Sequence, residues 1–268
     1  MSFPEVDPYG NSYQAYTDVP SSSPFAGMIR IAKQVGIVPA DALGSTFQPT
    51  REVTRSEMAR WTVLSQMNEA AITDFLANTP QFGGPTTASF ADVPSTHPDF
   101  RYVETMYRRG YTRGCFNTGD ALRRYCPADP TTRKDMAVFL IRAKLNNVFP
   151  STLSGCPTGA INGTTPAGGI FPPGIITACG ELGDNFGLFV TGLNYFTDNP
   201  AITGNDNYVY IQKMRELRIT NGTSLGPNQD GRNGTYTLGV LSGAPPAGHP
   251  GNLTREQIAS FMVRAFFH

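Results

Sequence analysis

The chain has 268 residues, of which 21 are basic and 21 acidic, and only 16% are charged. A zero net charge argues against a nucleic-acid or anionic-membrane partner, since both need clustered, uncompensated Lys and Arg. No apolar run approaches the ~18 residues a transmembrane helix requires. With 28 Gly and 22 Pro the sequence stays below disordered composition, and 40% hydrophobic residues suffice for cores, so compact units joined by elaborate loops are expected.

The opening residues, MSFPEVDPYGNSYQAYTDVP, carry neither the basic nor the apolar region of a secretory signal. From Tyr16 onward the chain repeats itself. Tyr16-Thr17-Asp18-Val19-Pro20 recurs as Phe90-Ala91-Asp92-Val93-Pro94 and as Phe196-Thr197-Asp198-Asn199-Pro200. Each opening is answered downstream by a closing pattern: Thr54-Arg55-Ser56-Glu57-Met58-Ala59, Thr132-Arg133-Lys134-Asp135-Met136-Ala137 and Thr254-Arg255-Glu256-Gln257-Ile258-Ala259. Repetition of this kind marks small units that bury their apolar faces only against one another. The predicted units are 13–67, 89–145 and 195–268, with a connecting segment at 68–88 and a Gly/Pro/Thr-rich insert at 146–194.

Two helices are expected per unit. The first places Met28, Ile29 and Ala32, then Tyr102, Val103 and Met106, then Tyr210, Ile211 and Met214 on one stripe. Gly36 and Gly110 suit a left-handed stop after it, and Arg218, in the same register of the third unit, departs from that rule. The second helix opens on an N-cap hydroxyl, Thr54, Thr132 or Thr254, with Glu57, Asp135 or Gln257 three residues on as in a capping box. Its buried face reads Met58, Trp61 and Thr62, then Met136, Phe139, Leu140 and Ala143, then Ile258, Phe261, Met262 and Ala265. The spacing from opening Asp to closing Arg grows from 37 to 41 to 57 residues, so insertions fall between the two helices. In the third unit that loop contains GTYTLGVLSG, which reads as a small β-hairpin.

Four cysteines fall as two local pairs, Cys115 with Cys126 and Cys156 with Cys179, and two disulfides are expected, each contributing about 2–4 kcal/mol by loop closure. That pattern suits an oxidising, extracellular location. No metal is expected, because there is no CxxC and only three His are present. Asn-x-Ser/Thr tripeptides at Asn162, Asn221, Asn233 and Asn252 leave glycosylation open.

The aromatic-x-Asp-Val-Pro opening, the Gly-aliphatic turn and the Thr-Arg-x-(Glu/Asp) second helix ending in Phe-Leu-Ile-Arg-Ala or Phe-Met-Val-Arg-Ala resemble the S-layer homology repeat. The resemblance implies a mainly α fold in which three two-helix repeats pack as a pseudo-threefold body with long loops. It also implies grooves between repeats that bind a cell-wall polysaccharide, often pyruvylated. Arg55, Arg133 and Arg255 would then meet the ketal carboxylate, a task suited to a planar guanidinium, or else pair with an acid of the neighbouring repeat. Asp18, Asp92 and Asp198 would bond sugar hydroxyls or cap the first helix. The family's usual His-Trp-Ala is absent, which leaves Phe25, Phe100 and Tyr208 as stacking candidates or as aromatics of the core edge.

No catalytic constellation or cofactor motif stands out. GxSxG, HExxH and the phosphate-binding loop are missing, and acid pairs such as Asp206 with Glu216 carry little weight in a chain with 21 acids. A non-enzymatic role at the cell surface is therefore expected. Two forms of it fit the sequence: a wall-polysaccharide binder, or a self-assembling subunit of an extracellular layer, sheath or filament whose long stapled loops make protein contacts.

Overall fold

The computed structural model describes residues 14–38, 45–79, 82–115, 123–146, 195–198, 208–222, 235–236 and 251–267. Seven helices occur among them: α1 Ala26–Gln34, α2 Arg55–Leu64, α3 Glu69–Ala77, α4 Phe100–Arg108, α5 Arg133–Asn146, α6 Tyr208–Glu216 and α7 Arg255–Phe266. The described residues are thus mainly helical, with isolated β-bridges beside the helices. The insert beyond Asn146 with Cys156, Cys179 and the Asn162 sequon, the Asn233 sequon, and the expected hairpin apart from Thr235 and Tyr236 lie outside the described residues.

Local chemistry starts and stops the helices where the repeat places them. The Thr54 hydroxyl accepts the Glu57 amide at 3.2 Å, and the Glu57 carboxylate accepts the Thr54 amide at 3.1 Å. Asp135 donates its amide to the Thr132 hydroxyl at 3.1 Å, and the Gln257 side chain accepts the Thr254 amide at 3.2 Å. These contacts satisfy amide groups that the first helical turn leaves without partners. At the other end of the first helices, Gly36, Gly110 and Arg218 all adopt the left-handed conformation, with φ of 78°, 74° and 58°. Only Arg218 lacks the freedom glycine has there.

The apolar stripes expected from the sequence converge on one core. Ile29, Ala32, Val103, Met106, Ile211 and Met214 are fully buried, as are Met58, Leu140 and Met262 from the second helices. Packing between helices is cyclic in the order of the repeat. Helix α2 packs on α4, α5 on α6, and α7 returns to α1, so each second helix covers the first helix of the next unit. Smaller contacts of α5 with α2 and α7 join the second helices to one another.

Ahead of the second helices the backbone forms a closed ring. The Val53 amide donates to the Leu253 carbonyl at 3.0 Å, the Leu253 amide to the Thr131 carbonyl at 3.0 Å, and the Thr131 amide to the Val53 carbonyl at 2.8 Å. One residue from each unit therefore satisfies a donor and an acceptor in the interior, where an unpaired group would be costly. Asn252 belongs to this region: its side chain is buried and donates to Glu52 at 3.0 Å, whereas Asn221 is exposed.

Cys115 and Cys126 form a disulfide, the pairing expected from their spacing. Helix α3 is an addition to the two-helix pattern, since it lies in the 68–88 segment outside the repeat. Its Asn68 side chain accepts the Ala71 amide at 2.8 Å as an N-cap, and Ile72 and Leu76 are buried where it packs on α4.

Candidate functional site

The three closing arginines are the first residues of α2, α5 and α7, and all are buried, with 6%, 7% and 3% of their surface exposed. Each reaches into the following unit. Arg55 Nε donates to the Tyr125 carbonyl at 3.0 Å, and the Tyr125 hydroxyl donates back to the Arg55 carbonyl at 2.8 Å. Arg133 and Tyr236 repeat the exchange at 2.8 and 2.9 Å. Arg255 Nε donates to the Phe47 carbonyl at 2.6 Å, and Phe47 has no hydroxyl to answer it.

Each guanidinium also lies over two aromatic rings of that next unit. Arg55 is 5.1 Å from the Tyr125 centroid and 5.3 Å from that of Phe139; Arg133 lies 4.8 Å from Tyr236 and 5.3 Å from Phe261; Arg255 lies 4.8 Å from Phe47 and 5.1 Å from Trp61. Acids complete two of the three sites, Asp135 at 3.4 Å from Arg55 and Glu57 at 3.1 Å from Arg255. In the register of these acids the third unit carries the neutral Gln257. Contacts of this kind, desolvated and charge-assisted, join neighbouring units more strongly than surface ion pairs do.

Burial sets the protonation behaviour of these clusters. It pushes the Tyr236 hydroxyl up to about 12 and that of Tyr125 upward as well. It also lowers Arg255 to about 10, against the opposing charge of Glu57. For Glu57 itself burial raises the carboxyl, but the Arg51 hydrogen bond, the Thr54 amide and the charges of Arg51 and Arg255 outweigh that and hold it below the ordinary range.

The opening aspartates hold loop backbone. Asp18 accepts the amides of Phe47 and Gln48, each at 2.7 Å, and Asp92 accepts those of Tyr125 and Cys126, each at 2.8 Å. Asp198 accepts the Tyr236 amide at 2.7 Å. Capture of two successive amides holds Gln48 and Cys126 at positive φ, 56° and 57°. The opening aromatic packs on the loop aromatic each time, Tyr16 on Phe47, Phe90 on Tyr125 and Phe196 on Tyr236, with centroids 5.3, 5.4 and 5.3 Å apart. Sequence reasoning misses Tyr125 and Tyr236, although both are central to these contacts. Tyr125 precedes its helix Thr by seven residues, as Phe47 does, whereas the third-unit loop is longer and hides the match.

Of the stacking candidates, Phe25 stands at the N-cap of α1 and packs half-buried against the core, and Phe100 begins α4 with 4% of its surface exposed. Tyr208 begins α6, and its side chain lies outside the described residues.

An open cleft of about 620 Å³ lies where units one and two meet beside the start of α3 and the end of α7, lined among others by Gly36, Arg60, Leu64, Glu69, Tyr102 and Phe267. Its one trace in the sequence is Arg60, since α5 and α7 carry Val138 and Ser260 in that register. Arg60 Nε donates to Asp99 at 2.7 Å, and its guanidinium lies 5.4 Å from the centre of the Tyr102 ring. The Tyr102 hydroxyl donates to Glu69 at 2.5 Å, and burial together with that bond pushes it up to about 12. The cleft thus offers aromatic and aliphatic surface beside polar groups that are already ordered, in about equal measure. Among the described residues no cluster of three metal-ligating side chains occurs, and no helix is long and apolar enough to cross a membrane.

The family model of the S-layer homology domain matches residues 15–59, from the first opening motif through α1 into α2. No curated protein matches the chain. Residues 15–59 are thus similar to an S-layer homology domain, and that match associates the protein with the cell surface.

Proposed function

We propose that this is a non-catalytic cell-surface protein whose three helix pairs, 13–67, 89–145 and 195–268, stand about a pseudo-threefold axis and bind cell-wall polysaccharide between neighbouring pairs. The observation that carries the reading is the S-layer homology match at 15–59, since Val35 and Gly36 within it, and Arg60 and Leu64 of α2 just beyond it, line the cleft. The closed amide ring of Val53, Thr131 and Leu253 and the cyclic packing of the helices support the threefold arrangement.

In this reading Arg55, Arg133 and Arg255 act as clamps between units, and Asp18, Asp92 and Asp198 hold the loops against them. Ligand contact falls to the cleft itself, with Tyr102 as its aromatic surface in place of Phe25 and Phe100, whose rings serve the core. Buried clamps keep the cleft walls at fixed separation, and a preformed site loses less entropy on binding.

The test is co-sedimentation of the full chain with purified peptidoglycan sacculi, before and after chemical removal of their attached polysaccharide. Pelleting only with the untreated sacculi is expected. A chain that ignores both preparations but polymerises on its own would replace the binder with a self-assembling structural subunit.

A further inference from the structure

The aromatic ring that lines the cleft is held from two sides. Tyr102 stands near the start of α4, and the Arg60 guanidinium lies over its ring, 5.4 Å from the centre, with Asp99 holding Arg60 in place. The Tyr102 hydroxyl donates to Glu69 Oε1 at 2.5 Å. Glu69 opens α3, the helix that belongs to no repeat, and the neighbour of Tyr102 sets its position. Arg101 lies 3.3 Å from the Glu69 carboxylate and donates to the Glu69 carbonyl at 3.1 Å and to the Thr73 hydroxyl at 2.6 Å.

The third unit holds its own ring differently. Tyr210 of α6 occupies the register of Tyr102, its hydroxyl accepts Arg142 Nε at 2.9 Å, and the guanidinium lies 5.2 Å from the ring centre. Arg142 belongs to α5, the second helix of the preceding unit; in that register α2 carries Leu64, with no polar side chain to offer. Glu69 supplies the hydroxyl's partner from outside the repeat instead. The two rings also differ in setting, since Tyr210 is buried whereas Tyr102 is half-buried at the cleft. A half-buried aromatic that is held in advance loses little freedom when a sugar ring packs on it.

We infer that Glu69 is a positioning residue of the cleft: it fixes the Tyr102 ring on which a sugar packs, and it makes α3 part of the binding site rather than a connection between units. This rests on the proposed wall-binding function and adds to it the residue that sets the aromatic platform. The Glu69 side chain is 53% exposed, so its replacement alters a surface contact and leaves the core untouched.

The experiment is a double-mutant cycle on the affinity of the full chain for soluble wall polysaccharide, with wild type, Glu69→Ala, Tyr102→Phe and the double variant, and with unfolding midpoints recorded alongside. Each single variant should bind about threefold to tenfold more weakly, the worth of ordering one side chain. In the Tyr102→Phe background Glu69→Ala should bring no further loss, because the hydroxyl it holds is already gone. Glu69→Gln keeps an acceptor for that hydroxyl and should bind more tightly than Glu69→Ala. An equal loss in both backgrounds would mean that Glu69 touches the polymer itself or acts through Arg101, and would overturn the inference. So would undiminished binding by either folded single variant, or a Glu69→Gln as weak as Glu69→Ala. Glu69→Ser breaks the same contact and takes the place of Glu69→Ala in the cycle if that chain does not fold. Failure of wild type to bind the polymer is a separate result and would overturn the wall-binding function on which the inference rests.

Discussion

Arg108 on α4 places its donors inside the protein, which makes its replacement a sharp test of how residues 82–89 are held against that helix. Nε donates to Glu104 at 3.2 Å, Nη1 to the Leu76 carbonyl at 3.2 Å and the Thr79 hydroxyl at 3.0 Å, and Nη2 to the carbonyls of Gly84 and Thr87 at 2.7 and 3.1 Å. Both side chains of the ion pair are 0% exposed. Arg108→Met keeps much of the length of the side chain but leaves the Glu104 carboxylate buried and uncompensated, a change that costs about 3–5 kcal/mol. The third unit shows how a neutral version works: Gln212, also fully buried, accepts the Tyr195 amide at 3.2 Å where Glu104 accepts that of Ser89 at 2.6 Å. Adding Glu104→Gln to Arg108→Met should therefore recover about 1–3 kcal/mol by removing the stranded charge. Urea unfolding of wild type, the single variant and the double variant measures both steps, and the single variant should melt roughly 10 °C lower for a chain of this size. A single-variant loss below about 1 kcal/mol, or a double variant less stable than the single, would refute the reasoning.

Three further outcomes are expected. Arg218→Gly relieves a left-handed residue at a helix end and should raise stability by about 1 kcal/mol, read as a higher urea midpoint; a lower midpoint contradicts it. Gly114→Ala puts a Cβ 2.7 Å from the Phe90 ring and closer still to the Arg124 carbonyl, at a φ of 96°, so thermal unfolding should show a loss of about 2 kcal/mol or more, and a wild-type melting temperature would contradict it. Because the Glu57 carboxyl is held below its ordinary value of 4.5, its stabilisation is fully present above that pH and is lost as pH falls through the folded value. The melting-temperature gap between wild type and Glu57→Gln should therefore narrow as the solution is acidified from neutrality through the carboxylate range, and a constant gap would remove Glu57 from the clamp.

How much the sequence reveals follows from which interactions are local. The starts of α2, α5 and α7 are legible because a capping box needs only four consecutive residues, and the left-handed stops are legible at Gly36 and Gly110, whereas Arg218 adopts that conformation without the glycine that signals it. The Cys115–Cys126 pairing is local in the same sense. By contrast, the sequence leaves two roles open for Arg55, Arg133 and Arg255, since the residues they touch are 70 to 208 positions away. The opening aspartates bond amides 29 to 38 residues downstream, and no spacing rule links Asp18 to Phe47 in the way that 3.6-residue periodicity links Ile29 to Ala32. Helix α3 belongs to no repeat, so Ile72 and Leu76 have no counterpart to reveal them. The cleft arises only when the end of α2 meets α4, which brings Arg60 to Asp99 across 39 positions.

On this account the protein meets wall polysaccharide in the cleft between units one and two. The most direct measurement compares the affinity of wild type and Ser65→Tyr for the soluble polymer, since Ser65 lines the cleft and a phenol ring there would intrude into it. With the unfolding free energy of the variant within about 1 kcal/mol of wild type, tight binding by wild type and a loss of at least about tenfold, or ~1.4 kcal/mol, in the variant are predicted. Equal binding by the two folded proteins, or none by wild type, would contradict it.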